Sequence, residues 1–370
     1  MATDWDAIRA QFPALAEFTY LNTATYGQVP CRAAEAVARH FTRRDELASD
    51  DFLEWFDDAD RLRVAIAQLI RCEATDVALM PNASLALATV LNGLDWREGD
   101  RIVTLAGEFP NNLYAPAVVG HGVVCCEAEP DELYAEVRRG ARLVLVSSAN
   151  YSTGFRPPLV ELSRIAHEHG ALLYVDGTQS IGALQFDCGA IKPDFVGVDG
   201  YKWLLCPNGA GFLYVRPEVR PLVRPTVIGW RSDRRWRGVN ALHHGAPEFV
   251  DAAERYEGGM LDFPALYGMA ESVALLLEIG AEKIEKRVLI LAKRCREILE
   301  QHGGFVQHGN TPILAARFDR IDAAALAGKL RERRILVSAR HGNLRVSTHF
   351  YNDQKDLDTL DAALKELAAS

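Results

Sequence analysis

The chain has 370 residues, 49% of them hydrophobic and 25% charged, which is enough to bury a large core and to build a second, smaller lobe. A net charge of −9 argues against nucleic acid or an anionic membrane as the main partner, and the short stretch Arg231-Ser232-Asp233-Arg234-Arg235-Trp236-Arg237 does not reverse that. No run approaches a membrane-spanning length, Met1 to Asp6 lacks a signal pattern, and seven scattered cysteines make neither a disulfide frame nor a zinc set, so a cytoplasmic protein with reduced thiols is expected.

Apolar residues at three- and four-residue spacing predict helices from Cys31 to Ala48 and from Phe52 to Ile70. Strand-like runs follow at Val77 to Met80, Ile102 to Leu105, Val123 to Cys126, Leu143 to Val146, Ala171 to Val175, Phe195 to Val198 and Gly211 to Val215. Helical segments separate the earlier runs, the pattern of a mostly parallel sheet covered on both faces. The turn-rich Cys206-Pro207-Asn208-Gly209-Ala210 between the last two predicts an antiparallel return. Helix dominates from Pro264 to Gln301, and strand, helix, strand, strand, helix then run from Ile313 onward. The predicted fold is α/β. A large α/β/α domain spans residues 1–255, its N-terminal segment partly packing on a small C-terminal α+β domain of residues 256–370, with the boundary near Ala252 to Gly259.

The chemistry is carried by Asp176 and Lys202. Asp176 closes the run Ala171 to Val175 and opens Gly177-Thr178-Gln179-Ser180-Ile181-Gly182, while Lys202 follows the next apolar run, Phe195 to Tyr201. An acid at the end of one buried strand and a lysine after the next is what pyridoxal 5′-phosphate requires. The lysine forms a Schiff base with the aldehyde, and the carboxylate keeps the pyridine nitrogen protonated. Ligands of open parallel sheets bind beyond the carboxyl ends of the strands. After the first strand, Pro81-Asn82-Ala83-Ser84 puts Ser84 at the opening of a helix from Leu85 to Leu94, an anion site for the phosphate or, in isolation, merely an N-cap. Phe109 offers a flat ring to stack on the pyridine. Asn150 and Gln179 are candidates to hold the phenolic oxygen from two sides, although an asparagine there also suits a turn.

These motifs resemble the class V, or cysteine desulfurase-like, branch of fold-type I pyridoxal-phosphate enzymes. The resemblance covers nearly the whole chain. It runs through Tyr20-Leu21-Asn22-Thr23-Ala24, Asn150-Tyr151-Ser152-Thr153-Gly154, Val175 to Gly182, Tyr201-Lys202-Trp203-Leu204, Gly209 to Val215, Arg255-Tyr256-Glu257-Gly258-Gly259, Leu344-Arg345-Val346-Ser347 and Tyr351-Asn352. It implies a homodimer with active sites at the interface and a small amino acid as substrate. By position it makes Lys202 the Schiff-base lysine and proton shuttle, Asp176 the pyridinium partner and Phe109 the stacking residue. It gives the phenolic oxygen to Asn150 and Gln179, the phosphate cup to Ala83, Ser84 and Tyr201, and the substrate α-carboxylate to Arg345, with Asn22 and Tyr26 nearby.

The departures matter too. Tyr201 and Phe109 stand where many relatives have histidine, which moves the reading toward kynureninase-like, epimerase-like and aminotransferase-like members. Met260 stands where relatives often have a threonine that reaches the neighbouring subunit's phosphate, and Trp230 of Ile228-Gly229-Trp230 is the candidate to donate there instead. The loop Val337-Ser338-Ala339-Arg340-His341-Gly342-Asn343 lacks the cysteine that a desulfurase needs before its arginine. The expectation is therefore an aminotransferase acting on a small α-amino acid. Isopenicillin N epimerase-like epimerisation, with His341 or Tyr26 as second acid or base, and C–S or β-lyase chemistry are the alternatives. A second arginine near the mouth, Arg340 or Arg156, would suit a dicarboxylic substrate.

Overall fold

The computed structural model describes residues 3–307 and 309–369. In chain order the elements are α1 (Trp5–Arg9), β1 (Thr19–Tyr20), α2 (Cys31–Leu47), α3 (Phe52–Ile70), β2 (Val77–Met80), α4 (Ala83–Gly93), β3 (Arg101–Leu105), α5 (Pro110–Ala117), β4 (Val124–Ala128), α6 (Leu133–Arg138), β5 (Leu143–Ser147), α7 (Leu159–Glu168) and β6 (Leu172–Asp176). They continue with α8 (Cys188–Ile191), β7 (Phe195–Asp199), β8 (Gly211–Val215), α9 (Phe263–Ile279), α10 (Ala281–Gln301), β9 (Phe305–Val306), β10 (Ile313–Arg317), α11 (Ala323–Glu332), β11 (Ile335–Leu336), β12 (Ser338–Arg340), β13 (Asn343–Ser347) and α12 (Gln354–Ala369).

Among the described residues the large sheet has seven strands in the order β2-β8-β7-β6-β5-β3-β4. Neighbours from β7 through β4 run parallel, and β8 returns antiparallel to both β7 and β2, as the turn before Gly211 predicts. The apolar runs reflect burial on both faces. Along β2, β5 and β6, alternate side chains enter two separate cores: Val77, Leu79, Val144, Val146, Leu173 and Val175 on one side, and Ala78, Met80, Leu143, Leu145 and Tyr174 on the other. These inner strands therefore read as continuous hydrophobicity rather than alternation, while the edge strand β4 is largely exposed.

The smaller sheet is antiparallel in the order β12-β13-β10-β9, and β11 pairs with β1 instead of joining it. Three strands, not two, thus separate α11 from α12, because Val337 breaks a stretch that reads as one strand. The expected division at residues 255 and 256 does not coincide with a break in the core. Phe263, Leu266, Met269, Val273 and Leu276 of α9 share the first core with Trp55, Phe56, Ala59 and Leu62 of α3. The second core begins within α10, at Leu291 and Cys295, and includes Leu21 of the N-terminal segment. Among the described residues no single helix is long and apolar enough to cross a membrane.

Candidate active site

The carboxyl ends of β2, β3, β5, β6 and β7 open on the same edge of the sheet, and their loops build one cavity. It measures about 130 Å³ and is lined by residues that include Ala83, Ser84, Phe109, Tyr151, Asp176, Gln179, Asp199, Tyr201 and Lys202. Lys202 and Asp176 are both buried. Asp176 accepts the Thr178 N–H on one oxygen at 2.9 Å, and its other oxygen has no donor among the described residues. The Lys202 amine likewise has no hydrogen-bond or ion-pair partner there. It lies 5.2 Å from the centre of the Phe109 ring and 5.3 Å from that of Tyr201. Burial lowers its pKa to about 8, against the opposing pull of Asp176. A buried amine and a buried carboxylate oxygen, both unpartnered, mark a site shaped for something the chain itself does not supply.

Local structure explains the positions. Asn82 caps α4 by accepting the Leu85 N–H, so the helix begins at Ala83, two residues before the expected start at Leu85; Ser84 lies exposed in the first turn. Thr178 ties two strand ends together, since its N–H binds Asp176 and its hydroxyl accepts the Asp199 N–H. The Lys202 segment is pressed against the N-terminal loop, where the Gly27 N–H binds Tyr201 O at 2.9 Å. A Cβ on Gly27 would come within 1.9 Å of Lys202 O, so only glycine fits.

Several predicted residues stand elsewhere than expected. The Asn150 oxygen takes the Ser152 and Thr153 N–H groups and the Ser152 hydroxyl, and its nitrogen donates one hydrogen to Gly107 O and keeps the other. Asn150 builds its turn and does not line the cavity. Gln179 does line it, but its amide oxygen accepts the Trp203 indole N–H at 2.8 Å and its nitrogen donates to Ala24 O. Only its second amide hydrogen remains for a ligand. Asn22 reaches the site indirectly, its side-chain Oδ1 accepting the Thr25 hydroxyl, and Tyr26 packs its ring 4.6 Å from that of Tyr201. Trp230 sits against Phe56 and Trp236, away from the cavity of its own chain, and Met260 is exposed.

Arg345 is almost wholly buried with only neutral hydrogen-bond partners. Its Nε donates to Ser338 Oγ at 3.1 Å, one terminal nitrogen to Tyr151 O at 2.7 Å, and the other to Thr25 Oγ1. Burial lowers its pKa to about 10, with the charge of Arg340 adding to the effect. A buried cation held by neutral groups is prepared for an incoming anion. Arg340 also has no acidic partner among the described residues, whereas Arg156 pairs with Glu285 at 3.6 Å.

Sequence reasoning missed Tyr151, Thr25, Ser338 and Asp199. Tyr151 meets Phe109 edge-on at 5.2 Å, and its hydroxyl lies 2.6 Å from His341 Nε2. The available signal for Ser338 was the strand pairing that sets it opposite Arg345. For Asp199 the signal was its place at the end of an apolar run three residues before the lysine.

The aminotransferase class-V family profile matches residues 49–360. The chain belongs to this family. Class-V proteins are pyridoxal-phosphate-dependent, and the cavity fits that cofactor by its unpartnered amine, its half-free carboxylate and the helix start on the same wall. Over its length the chain is similar to a probable cysteine desulfurase of Pyrococcus abyssi, at 25% identity covering 98% of this chain and 97% of that protein. It is also similar to the isopenicillin N epimerase of Streptomyces clavuligerus, at 27% identity and 98% of each. A solved structure of a C-DES mutant with glycine covalently linked to the PLP cofactor superposes with a TM-score of 0.88, at 24% identity over 96% of this chain and 98% of that one. None of the seven cysteines lines the cavity, and Cys188, Cys206 and Cys295 are buried.

Proposed function

We propose that this protein is a pyridoxal-phosphate-dependent aminotransferase acting on a small α-amino acid, working as a homodimer. The observation that carries the reading is the Lys202 amine, buried, poised at a pKa of about 8 and without a competing cysteine on the cavity wall. Bound there, the cofactor supplies an aldehyde for the substrate amine and a ring that stores the electron pair released at the α-carbon. Asp176 would keep the pyridine nitrogen protonated through its free oxygen. Phe109 would cover one face of the ring, and Ala83, Ser84 and Tyr201 would surround the phosphate. Arg345 would orient the substrate α-carboxylate, and Lys202 would take the α-proton and return it one carbon away. One base serving both transfers is sufficient for transamination.

A specific observation favours epimerisation as the second reading. Tyr151, bonded to His341 and packed on Phe109, forms a phenol–imidazole pair on the cavity wall that would serve as a second proton donor besides Lys202.

The test is to load the purified protein with pyridoxal phosphate and offer each common amino acid, following the cofactor spectrum and the products. One equivalent of oxo acid, with turnover only when an acceptor oxo acid is added, supports the aminotransferase. Inverted α-carbon configuration, or pyruvate with a released side-chain fragment and no acceptor, refutes it.

A further inference from the structure

Asp199 ends β7 and lines the cavity at the end where α4 begins. Its carboxylate lines the cavity beside Ala83, Ser84 and Tyr201, close to the backbone N–H groups of Ala83 and Tyr201. Ala83 is the first residue of α4, so its N–H is one of the donors that a helix start leaves for an anion. The chain's own carboxylate therefore stands beside the donors that the cofactor phosphate requires. Among the described residues Lys202 is the only Lys or Arg lining this cavity, so once it is bonded to the cofactor no other cation offsets the two anions.

The surrounding charges sharpen the conflict. Asp176 faces Asp199 from β6, Tyr201 and Lys202 from its own loop, Tyr26 lies beyond Tyr201, and the buried Cys206 thiol lies near it. Burial holds the Asp199 carboxyl up at about 6, with Asp176 adding to the rise and Lys202 and the two N–H groups opposing it. Two anions crowded into one site of low polarity share a proton rather than remain fully charged.

We propose that Asp199 enters the cofactor-loaded state protonated and donates that proton in a hydrogen bond to a phosphate oxygen, so that phosphate uptake is coupled to uptake of one proton. No covalent bond is made or broken; the carboxyl keeps its O–H and the phosphate oxygen accepts. The proposal rests on the cofactor reading above and adds a pH-dependent grip to it: the protein holds its cofactor more tightly in mildly acidic solution and releases it as pH rises.

The experiment uses the cofactor-free full-length protein and 4-deoxypyridoxine 5′-phosphate, which has no aldehyde and cannot bond to Lys202. Its Kd is measured by calorimetry from about pH 5.5 to about pH 8 for the unmodified protein and for Asp199→Asn, spanning the carboxyl's titration. The expected ratio of the two Kd values is flat below about pH 6 and rises roughly tenfold per pH unit above it, as one linked proton requires. The comparison cancels the phosphate's own ionisation. A ratio independent of pH, or weaker binding by Asp199→Asn at the alkaline end, overturns the proposal. Should that variant fail to fold, titration of the unmodified protein in two buffers of different ionisation heat decides alone: uptake of about one proton per phosphate bound at neutral pH supports it, and no uptake overturns it. Absence of binding at every pH would refute the cofactor reading itself, a separable outcome.

Discussion

The Thr25 hydroxyl accepts an N–H of the Arg345 guanidinium while passing its own proton to Asn22 Oδ1. The direction of that chain matters, because a hydroxyl already donating to Asn22 must present a lone pair to the arginine. Thr25 is therefore a positioning residue for Arg345, and Thr25→Val removes the acceptor at nearly constant volume. We expect KM for the amino acid to rise by about 10-fold with kcat little changed, the cost of one unsatisfied hydrogen bond on a buried cation. Steady-state kinetics of the loaded variant checks this, and an equal loss in kcat would assign Thr25 to the chemical step instead.

Arg345→Lys keeps the charge and loses the planar fork. With Ser338, Tyr151 and Thr25 arranged around guanidinium, an ammonium reaches fewer of them and meets a carboxylate at one point. The expected result is KM raised by about 100-fold, a loss near 3 kcal/mol, without change in cofactor affinity.

Lys202 makes a prediction in pH. Its pKa is lowered, so the reactive neutral amine predominates above about 8 rather than above the usual lysine value. The rate at which pyridoxal phosphate attaches to the cofactor-free protein should climb with pH and level off above about 8, as read by absorbance. Burial is the main cause and Arg340 one of the lesser ones, so Arg340→Ala should move the midpoint upward. Lys202→Ala should leave no borohydride-fixed cofactor at all.

Glu257 predicts a stability defect with no role in the reaction. It is fully buried, binds Arg63 and Arg231, and accepts the Leu79 N–H at the end of β2. Glu257→Gln leaves Arg63 with Asp60 and Arg231 with Glu254 as their remaining counter-charges, at a cost of about 3 kcal/mol. Thermal unfolding of the cofactor-free protein should show it as a clear drop in Tm. An unchanged Tm would mean that solvent or a partner subunit compensates.

The cofactor end of the site was legible in the sequence because its parts lie at strand ends. Asp176 and Lys202 each follow an apolar run, and the parallel-sheet rule then places both on one edge. The substrate end was less so. Arg345 was visible through resemblance alone, and its supports, Thr25 and Tyr151, stand 320 and 194 residues away in the chain. Asn150 serves its own turn for a physical reason: an amide four residues before a glycine with positive φ is well suited to accept the turn's N–H groups. The same distance effect hid the purpose of Arg255-Tyr256-Glu257-Gly258-Gly259, whose acid serves a strand 178 residues earlier.

The pairing of β1 with β11 and the bond from Thr25 to Arg345 have a consequence in time as well as in space. During synthesis, everything through β8 can fold on the ribosome with Lys202 and Asp176 already facing one another, because those contacts lie within the stretch already made. The carboxylate grip waits for more than a hundred further residues and for two segments over three hundred apart to meet. A nascent chain would thus become able to hold its cofactor before it can recognise a substrate, and binding of pyridoxal phosphate to a ribosome-stalled chain ending after α9 would precede any response to amino acids.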